Sequence, residues 1–392
     1  MKLSKLEKEL NIDMSIEKVR LTRPTSNGDS VIYPETESAQ ITDFADSVRN
    51  IVSTSEIGNN AYVFTPPDYY YRPSLFSVSS ASITIPAGTT YTLNDYLYKV
   101  TTNTTVSIPS SITVASRSGK DLYVYAVENG SYTPSFIISM NSTYPDGYTA
   151  ATSRKLGGFH CECVAVGTIS GHSLNGLAVG SIIPTSAWDL WHRPECNPEG
   201  MVYSQNLNLW VDIYLSSVSG SKLASVYGGT IADGTSATKF HWYKFAQWVA
   251  LSGKRLPTQE EFISFSTGSN QGTNINNSAD PVTTGGHYAT GNIRMISNIG
   301  CEDCCGCHWQ WGLEAGGPYG EASWSNAFDE NDDSGQKGQH YNVPNRAPLG
   351  GFWSIGAVCG SRSSNWSYSP LYLNSYLAAR GVCSPKVIPQ LF

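Results

Sequence analysis

GGFWSIGAVCGSRSSNWSYSPLYLNSYLAARGVC, residues Gly350 to Cys383, interleaves Phe352, Trp353, Trp366, Tyr368, Tyr372 and Tyr376 with Ser, Asn and Gly. Its formal charges are Arg362 and Arg380, and it holds no Asp, Glu, His or Lys. General acid–base chemistry needs a group that titrates near working pH, and arginine stays protonated. What remains suits a binding surface, because Tyr and Trp offer large contact area at low entropy cost while Ser, Gly and Asn offer adaptable hydrogen bonds. The plainer alternative is a loop-rich β edge whose aromatics are half core.

At 392 residues the chain can bury two or three real cores without metals or disulfides. Charged residues make up 15%, against about 25% in ordinary soluble domains, which points to mainly β, loop-dominated architecture. A formal net charge of -7 and no basic run argue against a nucleic-acid partner, since phosphate binding needs clustered Lys and Arg. No apolar run has the length of a membrane span, so membrane insertion is not expected. The start, MKLSKLEKELNIDMSIEKVR, lacks the apolar h-region of a signal peptide, so synthesis and folding in a cytoplasm are expected. Nine cysteines cannot all pair within one chain. Cys301, Cys304, Cys305 and Cys307 crowd into GCEDCCGCHW at zinc-like spacing, but no matching second pair follows. Reduced or locally oxidised thiols are expected there, with a structural metal ion as the alternative, and no cofactor is assigned.

Along the chain, residues 3 to 19 place Leu3, Leu6, Leu10, Ile16 and Val19 among Lys and Glu, as either a short amphipathic helix or a frayed terminus. Residues 21 to about 60 read as a linker or small β module, and residues 1–60 together as an attachment or oligomerisation segment. Residues 61–183 carry many short strands. Ser82 to Ile85 ends at Pro86-Ala87-Gly88, and Leu122 to Val127 runs into Asn129-Gly130, a tight-hairpin dipeptide; a β-sandwich is the expected solution. Residues 184–392 change character. Trp242, Phe245, Ala246 and Val249 fall at helical spacing before Gly253, and Thr258 with Glu261 forms a capping box that opens a second helix. A long, Trp-punctuated half follows, giving a mainly β protein with an α+β C-terminal domain.

The segments Arg255-Leu-Pro-Thr258 with Glu261-Phe262, Trp309-x-Trp311-Gly312, Gly350-Gly351-x-Trp353, Gly360-Ser361-Arg362 and Ala379-Arg380-Gly381-Val382-Cys383 together resemble a known pattern. It is the C-type lectin fold in the variant shared by formylglycine-generating enzymes and the variable proteins of diversity-generating retroelements. Ser153 to His160, Trp188-Asp189, Arg193-Pro194 and Trp210 to Leu215 extend the likeness to roughly residues 61–383. Residues 1–60 do not match well.

In the variable proteins a reverse transcriptase rewrites adenines in chosen codons, and the altered residues form the ligand-binding face of a fixed scaffold. The resemblance puts those positions at Phe352, Ser354, Ile355, Gly356, Val358, Asn365, Ser367, Tyr368, Tyr372, Asn374, Tyr376 and Leu377. It puts scaffold positions at Trp309, Trp311, Trp353, Gly360, Ser361, Arg362, Trp366, Pro370 and Arg380. AAC or AAT codons altered only at adenines never yield Trp, Met, Lys, Glu or Gln, and none of these occurs at the twelve positions. Cys359 departs from the Ser that the family favours, and Leu377 to Ala379 from its small-residue pattern. The members of this family that the chain most resembles sit at phage tail-fibre tips. The likeness therefore implies a virion protein and homotrimer that determines host tropism by binding a host cell-surface protein or glycan, and joins other tail components through its N-terminus. Tyr368, Tyr372 and Tyr376 are the expected energetic anchors.

Three rival readings remain. A formylglycine-generating-type oxidoreductase would use paired thiols, for which Cys359 and Cys383 are available. A calcium-dependent glycan-binding lectin would draw on Phe328 to Asp333, FDENDD. A bacterial surface-displayed variable protein would carry a secretion or lipidation signal.

Overall fold

The computed structural model describes residues 74–386 except 75, 95, 130–134, 236–238, 275–288, 291–292, 320–323, 326–339 and 342–343, together with four two-residue strands before residue 74. The chain packs as two units, Met1–Tyr62 and Val63–Phe392. In the first, β1 (Lys18–Val19) pairs antiparallel with β4 (Thr36–Glu37), and β2 (Thr22–Arg23) with β3 (Ser30–Val31). Most of the helix expected over residues 3–19 lies outside the described residues. Its last position, Val19, is corrected to strand, paired to Thr36.

The second unit opens with short strands β5 (Ser77–Val78), β6 (Ser82–Ile85), β7 (Thr90–Leu93), β8 (Tyr96–Lys99) and β9 (Thr104–Ser107). Along β6, Ile83 and Ile85 are buried while Ser82 and Thr84 point away, the period-two pattern of a strand with one wet face. A one-turn helix α1 (Val114–Arg117), capped by the Thr113 hydroxyl, precedes β10 (Asp121–Val127), β11 (Ser135–Ser139), β12 (Ser153–His160) and β13 (Trp188–Asp189). These last four form one sheet in the order β11-β10-β12-β13. Central β10 is buried from Leu122 to Val127, which explains its continuous apolar run. The hairpin of β7 and β8 packs on it, with the Tyr91 ring of β7 edge-on to Phe136 at 5.8 Å. The hairpin signalled by Asn129-Gly130 exists, but Val127 faces Ser135, so residues 128–134 connect the strands. The turn expected at Asn129-Gly130 runs into residues 130–134, outside the described residues; Asn129 Nδ2 donates to Ser135 Oγ at 2.8 Å.

Where β12 meets β13, Gly157 and Gly158 oppose Asp189 and Trp188. A Cβ on Gly157 would stand 2.1 Å from the Trp188 carbonyl and 2.7 Å from the Phe76 ring. Since overpacking a rigid core costs about 1–3 kcal/mol, Gly157→Ala is expected to destabilise the unit by about 2 kcal/mol or more in urea denaturation. Gly147→Ser, where no atom lies within 4 Å of the added Cβ, should show only the cost of its left-handed φ of 83°.

The rest of the unit carries β14 (Met201–Ser204), β15 (Leu209–Asp212), β16 (Ser216–Ser219), β17 (Lys222–Ser225), helices α2 (Trp242–Leu251) and α3 (Gln259–Phe265), and strands β18 (Ala289–Thr290) and β19 (Ile293–Arg294). It closes with β20 (Trp309–Tyr319), β21 (Trp324–Ser325), β22 (His340–Tyr341), β23 (Pro344–Leu349), β24 (Leu377–Ala378) and β25 (Val382–Cys383). Helix α2 buries Trp242, Phe245 and Val249, the face its spacing predicts, and Gly253 turns away from it at φ 72°. Helix α3 starts with the predicted capping box between Thr258 and Glu261, and Arg255 holds the Glu261 carboxylate with two bonds of 2.7 and 2.5 Å. The core joins Phe240, Phe245, Trp309, Trp311 and Leu377 on one side and Val211, Tyr214, Phe262, Phe265 and Leu349 on the other. Among the described residues no helix is long and apolar enough to cross a membrane.

Candidate ligand-binding face

Strand β20 lies between β23, antiparallel, and β24, parallel. The segment 350–376 therefore leaves one side of β20 and returns to the other, anchored at both ends on one sheet. It has almost no regular structure beyond a single 3-10 turn at Gly356–Val358, yet its main chain is tied throughout. Gly350 N–H donates to Ser363 O (2.9 Å), Trp353 N–H to Cys307 O (3.2 Å) and Asn365 N–H to Pro348 O (3.0 Å). From outside the loop, Arg346 N–H donates to Tyr368 O (2.9 Å), Trp242 N–H to Pro370 O (3.0 Å) and Trp309 N–H to Tyr376 O (2.9 Å). Gly350 and Gly351 make the entry, at φ 88° and 85°. A Cβ on Gly350 would lie 2.5 Å from Cys304 O, and one on Gly351 2.7 Å from Cys359 Sγ. Backbone conformation here is fixed by main-chain partners, so it depends little on the outward side chains.

On this frame the aromatic side chains form one cluster. Tyr368 and Tyr372 stack at 4.8 Å and 23°, and Phe352 lies over Tyr376 at 4.4 Å. The Tyr376 hydroxyl meets those of Tyr372 (2.9 Å) and Tyr368 (3.3 Å). Burial, then the hydrogen bonds to Tyr368 and Tyr372, push the Tyr376 phenol up, so it stays neutral. Beneath lie buried rings, with Trp311 edge-on to Tyr368 (6.4 Å) and Trp353 edge-on to Phe352 (5.4 Å). Under Trp353 sits His308 at 5.1 Å, whose pKa burial lowers to about 3, leaving an uncharged imidazole. Trp366 packs its ring on Gly316, where a Cβ would stand 2.8 Å away, and its carbonyl accepts from Asn345 Nδ2 at 3.2 Å.

The floor is held by Arg380, which is 0% exposed. Its guanidinium donates to Gln310 Oε1 (3.1 Å), Asp212 O (2.6 Å), Ile213 O and Glu302 O. Gln310 in turn donates to Asp303 O (3.1 Å) and Cys304 O (2.8 Å). GCEDCCGC is thereby bound into the floor, and all four of its thiols are buried and free. Asp303, at φ 56°, is buried with neither carboxyl oxygen hydrogen-bonded, and burial, then Glu302, push it well up. Among the described residues, the group with ligand atoms converging within 4.8 Å is instead Glu162, Cys163 and Glu302. Arg294 already supplies positive charge there, with two bonds to Glu302 (2.9 and 2.5 Å) and one to Glu162 (3.3 Å).

Of the twelve expected variable positions, Phe352, Ser354, Ile355, Gly356, Val358, Asn365, Ser367, Tyr368, Tyr372, Asn374 and Tyr376 reach solvent to some degree. Val358 is 61% and Tyr372 37% exposed. Leu377 is corrected to core. It is 0% exposed, because strand β24 pairs it with Trp309 and packs it against Trp311, Phe240 and Ala379. Arg362 is corrected as well. Its side chain is exposed, so it supports no buried main chain. Trp309, Trp311, Trp353, Gly360, Pro370 and Arg380 are buried, and Trp366 is half-buried.

The family model "Mtd second domain" matches residues 74–189, from the first described strands to β13. A tail fiber receptor-binding protein of Bordetella phage BPP-1 is 32% identical over 330 residues, covering 79% of this chain and 81% of that protein. The chain belongs to the major tropism determinant family. Two solved members agree in three dimensions. The Major Tropism Determinant M1 variant superposes with a TM-score of 0.70 at 28% identity over 84% of this chain and 87% of that one. The U1 variant gives 0.71 at 27% identity over 96% and 94%. With them comes the C-type lectin-like fold that the motifs implied.

As a major tropism determinant relative, the chain also carries supports that sequence reasoning missed. Gln271 Oε1 accepts from Ser361 N–H (3.1 Å), Asn274 donates to Trp353 O, and Gly234 admits the Asn374 main chain, which stands 2.3 Å from where its Cβ would be. None of these had a periodic signal, since each acts across a long sequence gap. The thiols proposed for redox chemistry are not brought together. Cys359 packs at Gly351 and donates to Phe352 O (3.4 Å), whereas Cys383 packs with Cys196, Met201 and Trp210. The acidic stretch Phe328 to Asp333 lies outside the described residues.

Proposed function

We propose that this chain is the receptor-binding protein of a phage tail fibre, located in the virion, and that the outward side chains of residues 352–376 are its ligand-contacting surface. The observation that carries the reading is the mismatch within that segment. Its main chain is hydrogen-bonded to buried elements, while its side chains reach solvent. Such a surface changes specificity without changing fold. Gly356 agrees with it, since at φ 53° with nothing within 4 Å of a Cβ the position favours Gly or Asn, both reachable from an AAC codon. The eleven positions that reach solvent are the proposed targets of retroelement diversification, with Trp353, Trp366 and Arg380 held constant. The role is recognition, not catalysis. Its ligand is a protein or glycan of the host surface, and assembly as a homotrimer would turn weak single-site contacts into avidity. Within this reading residues 1–60 attach to the tail, 61–183 form the sandwich domain and 184–392 the variable ligand-binding domain.

The test is adsorption competition together with sequencing. Purified chain should block adsorption of the phage that carries it to its host, and codons 350–383 from many individual genomes should vary by adenine-derived changes confined to those eleven positions. Failure to compete at saturating protein would refute receptor binding. Variation spread evenly across Trp353, Trp366 and Arg380 would refute diversification.

A further inference from the structure

The C-terminal strand does more than close a sheet. In β25, Cys383 lies opposite Trp210 of β15, and beyond it Pro385 bridges Pro194 on the segment entering the lectin-like fold. Glu195 N–H donates to Ser384 O (3.0 Å) and Lys386 N–H to Arg193 O (2.8 Å). Carrying this antiparallel register two residues inward sets Cys196 opposite Cys383, and both belong to one cluster with Met201, Trp188 and Trp210. Residues opposed in this way, between ladder bonds, have Cα atoms about 4.5 Å apart, inside the roughly 4.4–6.8 Å that a disulfide spans.

We propose that Cys196 and Cys383 are a redox pair that closes to a disulfide when a peroxide reaches it, fastening the C-terminal strand to the entry segment. The two sulfurs have distinct roles. The Cys196 thiol beside it, against the opposing effect of burial, combines with the Cys196 and Glu195 amides and Lys254 to lower the Cys383 thiol to about 6, while the Cys196 sulfur faces Asn197 O and Met201 Sδ and the Cys383 sulfur faces Gly253 O and Ser384 O. The same pairing, with burial, pushes Cys196 well up. Lys254 is held in place by Asp212 at 2.5 Å. Cys383 is therefore the nucleophile, since the thiolate is the reactive form. Its sulfur attacks the peroxide O–O bond, giving a sulfenic acid and, once the departing hydroxide is protonated, water. Cys196 sulfur then displaces the sulfenic oxygen, which leaves as a second water with the thiol proton. Two thiols and one hydrogen peroxide become one disulfide and two waters. The competing pair, Cys301 and Cys304, is less suited. Both are 0% exposed, whereas Cys196 and Cys383 keep 8% and 3% exposure. Upstream of the tie lie Arg380 and the floor of the tyrosine cluster, so closure would stiffen the support of the recognition surface.

The experiment is hydrogen peroxide treatment of the purified full chain, followed by thiol titration after denaturation and non-reducing peptide mapping. Titratable thiols should fall from nine to seven, a Cys196–Cys383 linked peptide should appear, and thermal unfolding should shift upward until dithiothreitol reverses it. In Cys196→Ser the linked peptide should vanish and dimedone should label Cys383 as a sulfenic acid. A mapped bond at Cys301–Cys304 instead, or nine unchanged thiols in the wild-type chain, would overturn the proposal.

Discussion

Arg380→Met is expected to destabilise the C-terminal part of the chain by about 3–5 kcal/mol, the usual cost of removing one partner from a buried charged network. The guanidinium is fully buried and donates to the carbonyls of Asp212, Ile213 and Glu302 and to Gln310. A methionine fills much of the volume but leaves those acceptors without donors where water cannot reach them. Against a total stability of about 5–15 kcal/mol, a loss of this size moves a urea midpoint far enough to be unmistakable by tryptophan fluorescence. Arg380→Lys should rescue little, since one ammonium cannot reproduce a planar fork that reaches separate acceptors. Arg362→Met supplies the control. With an exposed side chain, it should change stability by no more than about 0.5 kcal/mol. A loss below about 1 kcal/mol for Arg380→Met would mean that the floor finds other donors.

Tyr372→Ala is expected to separate binding from folding. Its ring is 37% exposed, stacks on Tyr368 and offers its hydroxyl to Tyr376, while the local main chain is held by Tyr372 N–H to Ser369 O (2.9 Å) and Trp242 N–H to Pro370 O (3.0 Å). Thermal unfolding should stay within about 2 °C of wild type. If the ring is a hot spot worth about 2 kcal/mol, single-site affinity for host cells should fall roughly 30-fold, and multivalent adsorption by more. Tyr376→Ala is the contrast. It removes the hydroxyl shared by two tyrosines and the ring stacked on Phe352, so both stability and binding should drop. Unchanged adsorption by Tyr372→Ala at unchanged stability would remove the tyrosine cluster from the recognition surface.

Local signals in the chain suffice where the physics is local. The Thr258–Glu261 capping box and the apolar face of α2 need only residues three or four positions apart, and both appear as expected. The turn expected at Asn129-Gly130 runs into residues 130–134, outside the described residues. The positions of Leu377 and Arg362 depend on contacts that no local signal carries. Leu377 directly follows Tyr376, and only the parallel pairing of β24 with β20 turns one side chain into the core and leaves its neighbour at the surface. Arg362 and Arg380 are chemically identical, and burial alone separates an exposed guanidinium from the floor's central donor.

By itself the sequence determined the chemistry available from Gly350 to Cys383, an aromatic and amide surface without titrating acids or bases near neutral pH other than thiols, together with the motifs that carry the family. The tertiary structure decided which of those side chains face outward, because a loop without secondary structure takes its shape from main-chain bonds to Cys307, Arg346, Pro348 and Trp309. It also decided that Cys383 stands with Cys196 and not with Cys359, since packing partners far apart in the chain are set by strand register and not by spacing along it.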